Sequence, residues 1–227
     1  MVGRLLDLFS CEGGAARGYA AAGWQVTGVD TDARAGRRYP YEFIHGDALA
    51  YLAAHGHEYD AIHASPPCQA YTHATVANPK ARAKHPQLIE PTRALLIETG
   101  RPYVIENVPM APLLNPLMLC GSMFDLAATD TDGSQLRLQR HRLFESNVAL
   151  MAPGPCRHDT RAKVGGVYGG GSVSRHHAEN VRHGGYTPSK AVRAALIGVP
   201  DGALTLYGLS QCIPPAYTQW IGEQLTW

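Results

Sequence analysis

Residues 4–30 read RLLDLFSCEGGAARGYAAAGWQVTGVD. The run from Arg4 to Phe9 is short and apolar, as a strand covered on both faces requires, and it stops at Ser10–Gly14. Ala15 to Ala22 is rich in alanine, the best helix former, and Gly23 ends the helix. Trp24 to Asp30 returns as a second strand that finishes on an acid. Strand, turn, helix, strand is the unit from which parallel sheets are built. Glycines Gly13 and Gly14 let backbone approach a ligand at the helix start, and an acid closing the second strand suits a ribose diol.

The same rhythm continues outward. Tyr41–His45 reads as a third strand, Ala48–His55 as a helix and Tyr59–Ala64 as a fourth strand. Pro91 is expected as the first residue of a helix running to Thr99 and ended by Gly100, and Tyr103–Val108 follows as strand five. The expectation is a doubly wound, Rossmann-like α/β domain over residues 1–150, with a mostly parallel sheet. Residues 109–124 carry three prolines and 127–135 are polar and acidic, so a crossing loop is expected before a further strand at Arg142–Ser146. Residues 151–205 are rich in Gly, His and Arg with little apolar period, which predicts a small loop-rich region. Residues 206–227 are expected to dock back, through a proline-entered helix with Tyr217, Ile221 and Leu225 on one face.

The chain has 227 residues, enough for a real core, and a net charge of +1, which says nothing decisive about nucleic acid. Basic character is local, between Arg157 and Arg193. Five scattered cysteines and an opening without a signal-peptide core predict a reduced, cytoplasmic protein, expected as a monomer. No run of eighteen apolar residues predicts a membrane span.

After strand four comes ASPPCQAYT, Ala64 to Thr72. Two prolines fix two φ angles and remove two donors, so the strand must stop and the following residues sit on a stiff turn. Cys68 is therefore presented at a strand end rather than merely buried.

Taken in order, LLDLFSCEGGAARGYAAAGW, GVD, GDA, SPPCQ, IENV, RHR and the IPP-containing tail resemble the successive motifs of the DNA (cytosine-5) methyltransferase family. The resemblance spans residues 4–147 and 210–225; its most specific part is SPPCQ and IENV, about forty residues apart. The short length looks like the compact members carried by bacteriophages. The resemblance implies a class I S-adenosylmethionine-dependent methyltransferase fold, S-adenosylmethionine as cofactor and DNA as partner.

Cytosine C5 is too poor a nucleophile to attack a sulfonium methyl directly, so the family adds a cysteine thiolate to C6 first. By resemblance Cys68 is that nucleophile, its thiolate favoured by nearby positive charge. Glu106 protonates or hydrogen-bonds cytosine N3 and needs a raised pKa. Arg140 and Arg142 match the arginine pair, with Arg142 favoured for the base contact. Phe9 is assigned to adenine; Ser10, Cys11, Glu12, Gly13 and Gly14 to the methionine end; Asp30 to the ribose; Asp47 to the adenine amino group. Pro66 and Pro67 are placed near the sulfonium, and Gln211 toward the methyl donor.

For DNA, the base must be extruded to expose C6. Gln69, Arg157, Arg161, Lys163, Arg175 and Arg182 are the candidate contacts, with Lys190 and Arg193 as further phosphate partners. The sequence departs from the family pattern at Cys11 and Leu138 and across Ser210, Gln211 and Cys212. Gln211 keeps open an altered sulfonium donor, and the departures together keep open a cofactor- and DNA-binding protein without catalysis; the rival enzyme is the tRNA-modifying branch of the same family. Cys156 and His158, with His176, His177 and His183, have the right atoms for zinc but not the spacing of a known ribbon or finger, so no metal site is expected.

Overall fold

The computed structural model describes residues 2–72, 77–159, 161, 163–168 and 186–225. The first half alternates as expected: β1 (Arg4–Leu8), α1 (Gly14–Ala21), β2 (Gln25–Asp30), α2 (Ala33–Gly36), β3 (Glu42–His45), α3 (Ala48–His55), β4 (Ala61–Ala64), α4 (Pro79–Arg82), α5 (Ile89–Thr99) and β5 (Tyr103–Asn107). Then come β6 (Leu117–Leu119), β7 (Ala127–Thr129), β8 (Gln135–Arg137), β9 (Arg142–Ser146), β10 (Lys163–Val164), α6 (Lys190–Ile197), α7 (Leu206–Gln211) and α8 (Pro215–Gly222).

Seven strands form one sheet in the order β3-β2-β1-β4-β5-β9-β6. The pairs from β3 through β5 are parallel, and β9 runs antiparallel to both of its neighbours. The strand order reverses between β1 and β4, the switch point at which such sheets open a ligand crevice. This is a doubly wound, Rossmann-like fold of class I.

The apolar runs form central strands because both sheet faces are covered. Leu5, Leu6, Leu8, Ile62, Val104 and Ile105 are fully buried. One face packs on α1 and α8. The alanine-rich surface of α1 is explained there, since a Cβ on Gly18 would strike the Pro215 carbonyl and the Thr218 hydroxyl. Thr218 Oγ1 instead donates to the Ala15 carbonyl at 2.8 Å, and Tyr217, Ile221 and Leu225 are all buried. Through these contacts α8 packs on α1.

Three local expectations change. Helix α5 starts at Ile89, so Pro91 is its third residue; the first-turn N–H groups have no intrahelical partner, and a missing one costs nothing there. Residues 127–135 are not plain loop: β7 and β8 form a hairpin, closed by Asp130 N donating to the Ser134 carbonyl at 2.8 Å. The crossing segment also contributes β6 to the large sheet. The small sheet, in the order β10-β8-β7, draws strands from both sides of residue 150. Helix α6, capped by Ser189 and ended by Gly198 at φ 84°, packs over it with Leu196 and Ile197 buried.

Candidate active site

The carboxyl ends of β1, β2, β4 and β5 open on one cavity of about 1,210 Å³. Phe9, Ser10, Cys11, Glu12, Gly14, Asp30, Pro66, Pro67, Cys68, Gln69, Glu106, Arg142 and Gln211 all line it. Gly13 caps α1 just behind the lining at φ 81°, its N–H donating to the Ser10 carbonyl at 3.0 Å. Asp47 does not line the cavity; it is exposed and caps α3 by accepting from Ala50 N at 2.8 Å.

The loop after β1 turns sharply. Phe9 and Cys11 adopt φ of 58° and 47°, the left-handed region that favours glycine. What holds Cys11 there is Asp30, whose Oδ2 accepts from Cys11 N at 2.8 Å while its Oδ1 accepts from Asp32 N at 2.9 Å. The acid that ends β2 therefore fixes the loop as well as facing the cavity. Burial pushes the Cys11 thiol up to about 12, with only the Glu12 backbone opposing. Glu12 turns to the tail, where its two oxygens accept from Thr205 N at 2.7 Å and Thr205 Oγ1 at 2.5 Å. Ser10 Oγ is buried and has no hydrogen-bond partner among the described residues.

At the other end of the cavity, Arg142 Nε lies 3.0 Å from Glu106 Oε1. Cys68 is half-buried on the turn after Pro66 and Pro67, its carbonyl accepting from Tyr71 N at 2.8 Å. Asn107 ties the two strand ends together by donating from Nδ2 to the Pro66 carbonyl at 2.8 Å. Burial raises the Glu106 carboxyl above its ordinary range, against the pull of Arg142, Arg140 and the Ser65 hydroxyl. Burial and then the Glu106 carboxylate also raise the Cys68 thiol, while Arg142 and Arg140 lower it. The sequence reading expects positive charge to favour the thiolate; the arginines act in that direction, but burial and Glu106 outweigh them.

Arg140 stands behind this pair rather than in the cavity. Its guanidinium donates to the Val167 carbonyl at 2.7 Å and the Ser210 carbonyl at 2.5 Å, and the Tyr217 hydroxyl donates to its own carbonyl at 2.8 Å. It joins the sheet, the small-sheet region and the tail.

Sequence reading misses a buried chain behind Glu106. Tyr19 Oη meets His63 Nδ1 at 2.9 Å, and His63 Nε2 meets Ser65 Oγ at 2.8 Å; the Ser65 hydroxyl in turn bonds Glu106. Burial pushes His63 down to about 3, so the imidazole is neutral. A polar residue inside an otherwise apolar strand, as in AIHA, is the signal that would have found it. Asp7 on β1 carries the same signal: it is buried, accepts from Tyr39 Oη at 3.0 Å and is raised by burial to about 7.

The basic candidates divide. Arg157, Arg161 and Lys163 are exposed and none lines the cavity; Lys163 lies 3.7 Å from Asp132. Arg175 and Arg182 fall outside the described residues. Arg193 is not a surface cation: it is buried on α6 and donates to the Pro188 carbonyl at 2.7 Å and the Tyr168 carbonyl at 3.3 Å.

No protein-family model and no curated protein matches the chain. Solved structures do. A prophage-encoded E. coli protein assigned as a DNA modification methyltransferase aligns at TM-score 0.62 and 15% identity, covering 99% of this chain and 98% of that one. The S. pombe Dnmt2 methyltransferase aligns at TM-score 0.63 and 14% identity, again covering 99% and 98%. The Entamoeba histolytica methyltransferase EhMeth aligns at TM-score 0.55 and 13% identity with the same coverage. The chain has the fold of these methyltransferases. At such identity the likeness concerns the fold, and the chemistry has to be argued from the side chains that meet in the cavity.

Proposed function

We propose that the chain is a member of the DNA (cytosine-5) methyltransferase family that uses S-adenosylmethionine, with residues 151–205 as its DNA-recognition region. The observation that carries this reading is the meeting of Cys68, Glu106 and Arg142 at one end of the cavity whose other end is the Ser10–Gly14 loop and Asp30.

The residues fit the cofactor. Ser10 offers a buried hydroxyl without a partner among the described residues, Gly14 N–H opens a helix, and the cavity is of ligand size. Phe9, Asp30, Pro66, Pro67 and Gln211 complete the set that would hold it. S-adenosylmethionine, when bound, supplies an electrophilic methyl group. On the substrate side, the Cys68 thiolate adds to C6 of an extruded cytosine while Glu106, protonated, donates to N3 and draws electron density from the bond under attack. Arg142 holds Glu106 and faces the same end of the cavity, suiting it to the cytosine carbonyl. C5 becomes nucleophilic toward that methyl group; a base then takes the C5 proton, the thiolate leaves as the C5–C6 double bond reforms, and N3 returns its proton to Glu106. The two raised groups cooperate, because a proton on Glu106 removes the charge that opposes the Cys68 thiolate.

The test uses labelled cofactor with unmethylated DNA in one arm and RNA in another, followed by mass spectrometry of the nucleosides. 5-Methylcytosine in the DNA arm that disappears with Cys68→Ala is the expected result. No cytosine product, or full activity in Cys68→Ala, sinks the reading; product in RNA alone moves the substrate, and a heavier group moves the donor.

A further inference from the structure

Cys120, His141, Cys156 and His158 come from three separate stretches of chain and offer four ligand atoms all within 4.8 Å of one another. Sheet register produces half of this. β6 and β9 pair antiparallel with Leu119 opposite Arg142, so the next pair outward is Cys120 opposite His141. The loop after β9 then returns over that end and lays Cys156 and His158 on it. Cys156 Sγ lies 3.0 Å from His158 Nε2 and 3.5 Å from His141 Nε2, and Cys120 Sγ lies 3.3 Å from His158 Nε2.

Those separations decide the chemistry. Zinc bonds of about 2.3 Å to sulfur and about 2.0 to 2.1 Å to nitrogen put the corners of a tetrahedron about 3.3 to 3.8 Å apart. The observed edges are already close to that figure. Two thiols and two imidazoles suit zinc and exclude the oxygen-preferring magnesium and calcium. Four protein ligands leave no open position, the pattern of a structural rather than a catalytic ion. Outer support is present as well: Ser122 Oγ donates to Cys120 Sγ at 3.3 Å, lies 3.5 Å from Cys156 Sγ and accepts from Arg157 N at 3.1 Å.

We propose that Cys120, His141, Cys156 and His158 bind one structural zinc ion that fastens the 151–159 loop to the strand carrying Arg142. Sequence reading set Cys156 and His158 beside His176, His177 and His183, which lie outside the described residues, and expected no metal site; the structure sets them beside Cys120 and His141 instead. On binding, the two thiols release their protons to solvent and two thiolates with two neutral imidazoles take the ion, leaving the site uncharged. Met151 is tied to Trp220 and Gln224 and Ala152 packs on the core; beyond Ala152 the four ligands and the Ser122 contact hold the loop among the described residues. The consequence reaches the cavity, since Arg142 follows His141 directly and donates from Nη1 to the His141 carbonyl at 2.8 Å.

The experiment is metal analysis of the full chain purified under reducing conditions without chelator. One zinc per chain is expected, lost in the Cys156→Ser/His158→Ala double variant and retained in His176→Ala/His177→Ala. Cobalt(II) in place of zinc should give the absorption of a tetrahedral ion with two thiolate ligands. A second measurement needs no variant: thiol labelling of wild type, read by peptide mass spectrometry, should find the partly exposed Cys156 protected with zinc and labelled after chelation. Zinc retained by the ligand variant, labelling unaffected by chelation, or a Cys120–Cys156 disulfide in place of metal would overturn the proposal. None of these readouts depends on methyl transfer.

Discussion

Arg142 Nε and Glu106 Oε1 stand 3.0 Å apart, and Cys68 feels both charges with opposite sign. Removing either partner therefore moves the thiol in a known direction. Glu106→Gln deletes the negative charge and should shift the pH profile of Cys68 alkylation down by about one pH unit; Arg142→Ala should shift it up by a similar amount. Both should lower methyl transfer, by roughly 10² to 10⁴-fold for Glu106→Gln through loss of the acid. Iodoacetamide kinetics against pH, with Cys68 quantified by peptide mass spectrometry, separates the electrostatic effect from unfolding. Identical profiles in all three proteins would mean that the pair does not tune the thiol.

The loop that follows β1 predicts a stability ranking at one residue. Cys11 sits at φ 47°, where a Cβ costs energy and a branched one costs more. Cys11→Gly should be neutral or stabilising by up to ~1 kcal/mol, and Cys11→Val destabilising by ~1 to 2 kcal/mol. Denaturant midpoints of the three proteins check this. A Val variant as stable as wild type would show that the loop relaxes out of the left-handed region.

How much of this was readable depended on how local the cause is. Strands β1, β2, β4 and β5 were legible because strands covered on both faces read as apolar runs, and Cys68 and Glu106 because each directly ends or follows such a run. β6 to β8 were not, since each is three residues long and their pairing depends on distant partners. Arg193 read as a surface cation because nothing in its neighbours announces the carbonyls of Pro188 and Tyr168. The same limit hid Cys120 and His141, which lie 21 residues apart in sequence and become neighbours only through β6–β9 register.

Asp7 gives a pH signature. Its folded carboxyl is raised from 3.8 to about 7 by burial, so this group's contribution to stability is full below about 4 and is lost as pH rises through about 7. Asp7→Asn keeps an acceptor for the Tyr39 hydroxyl and has no charge to bury. The variant should match wild type near pH 4 and gain stability steadily above it, on the order of 4 kcal/mol by pH 8. Thermal melts from pH 4 to 8 measure the difference. A gap that is constant with pH would show that Asp7 does not titrate in this range.

The buried pair of Arg93 and Glu145 anchors the segment that follows β5. Arg93 Nε and Nη2 donate to the two Glu145 oxygens at 2.6 and 2.8 Å, Arg93 also bonds the Pro112 carbonyl, and Glu145 accepts from Leu114 N at 2.7 Å. Both side chains are nearly inaccessible, at 6% and 4% exposure, so neither can fall back on water. Arg93 also pairs with the exposed Glu90, so the charge stranded by removing one partner is that of Glu145, and Arg93→Met should cost about 3 to 5 kcal/mol. Glu145→Gln in the Arg93→Met background removes that charge and keeps an oxygen for Leu114 N, so the double variant should recover a large part of the loss. The decisive quantity is the coupling energy from the four-protein cycle of urea unfolding. Additive losses would mean the two residues stabilise the crossing segment independently.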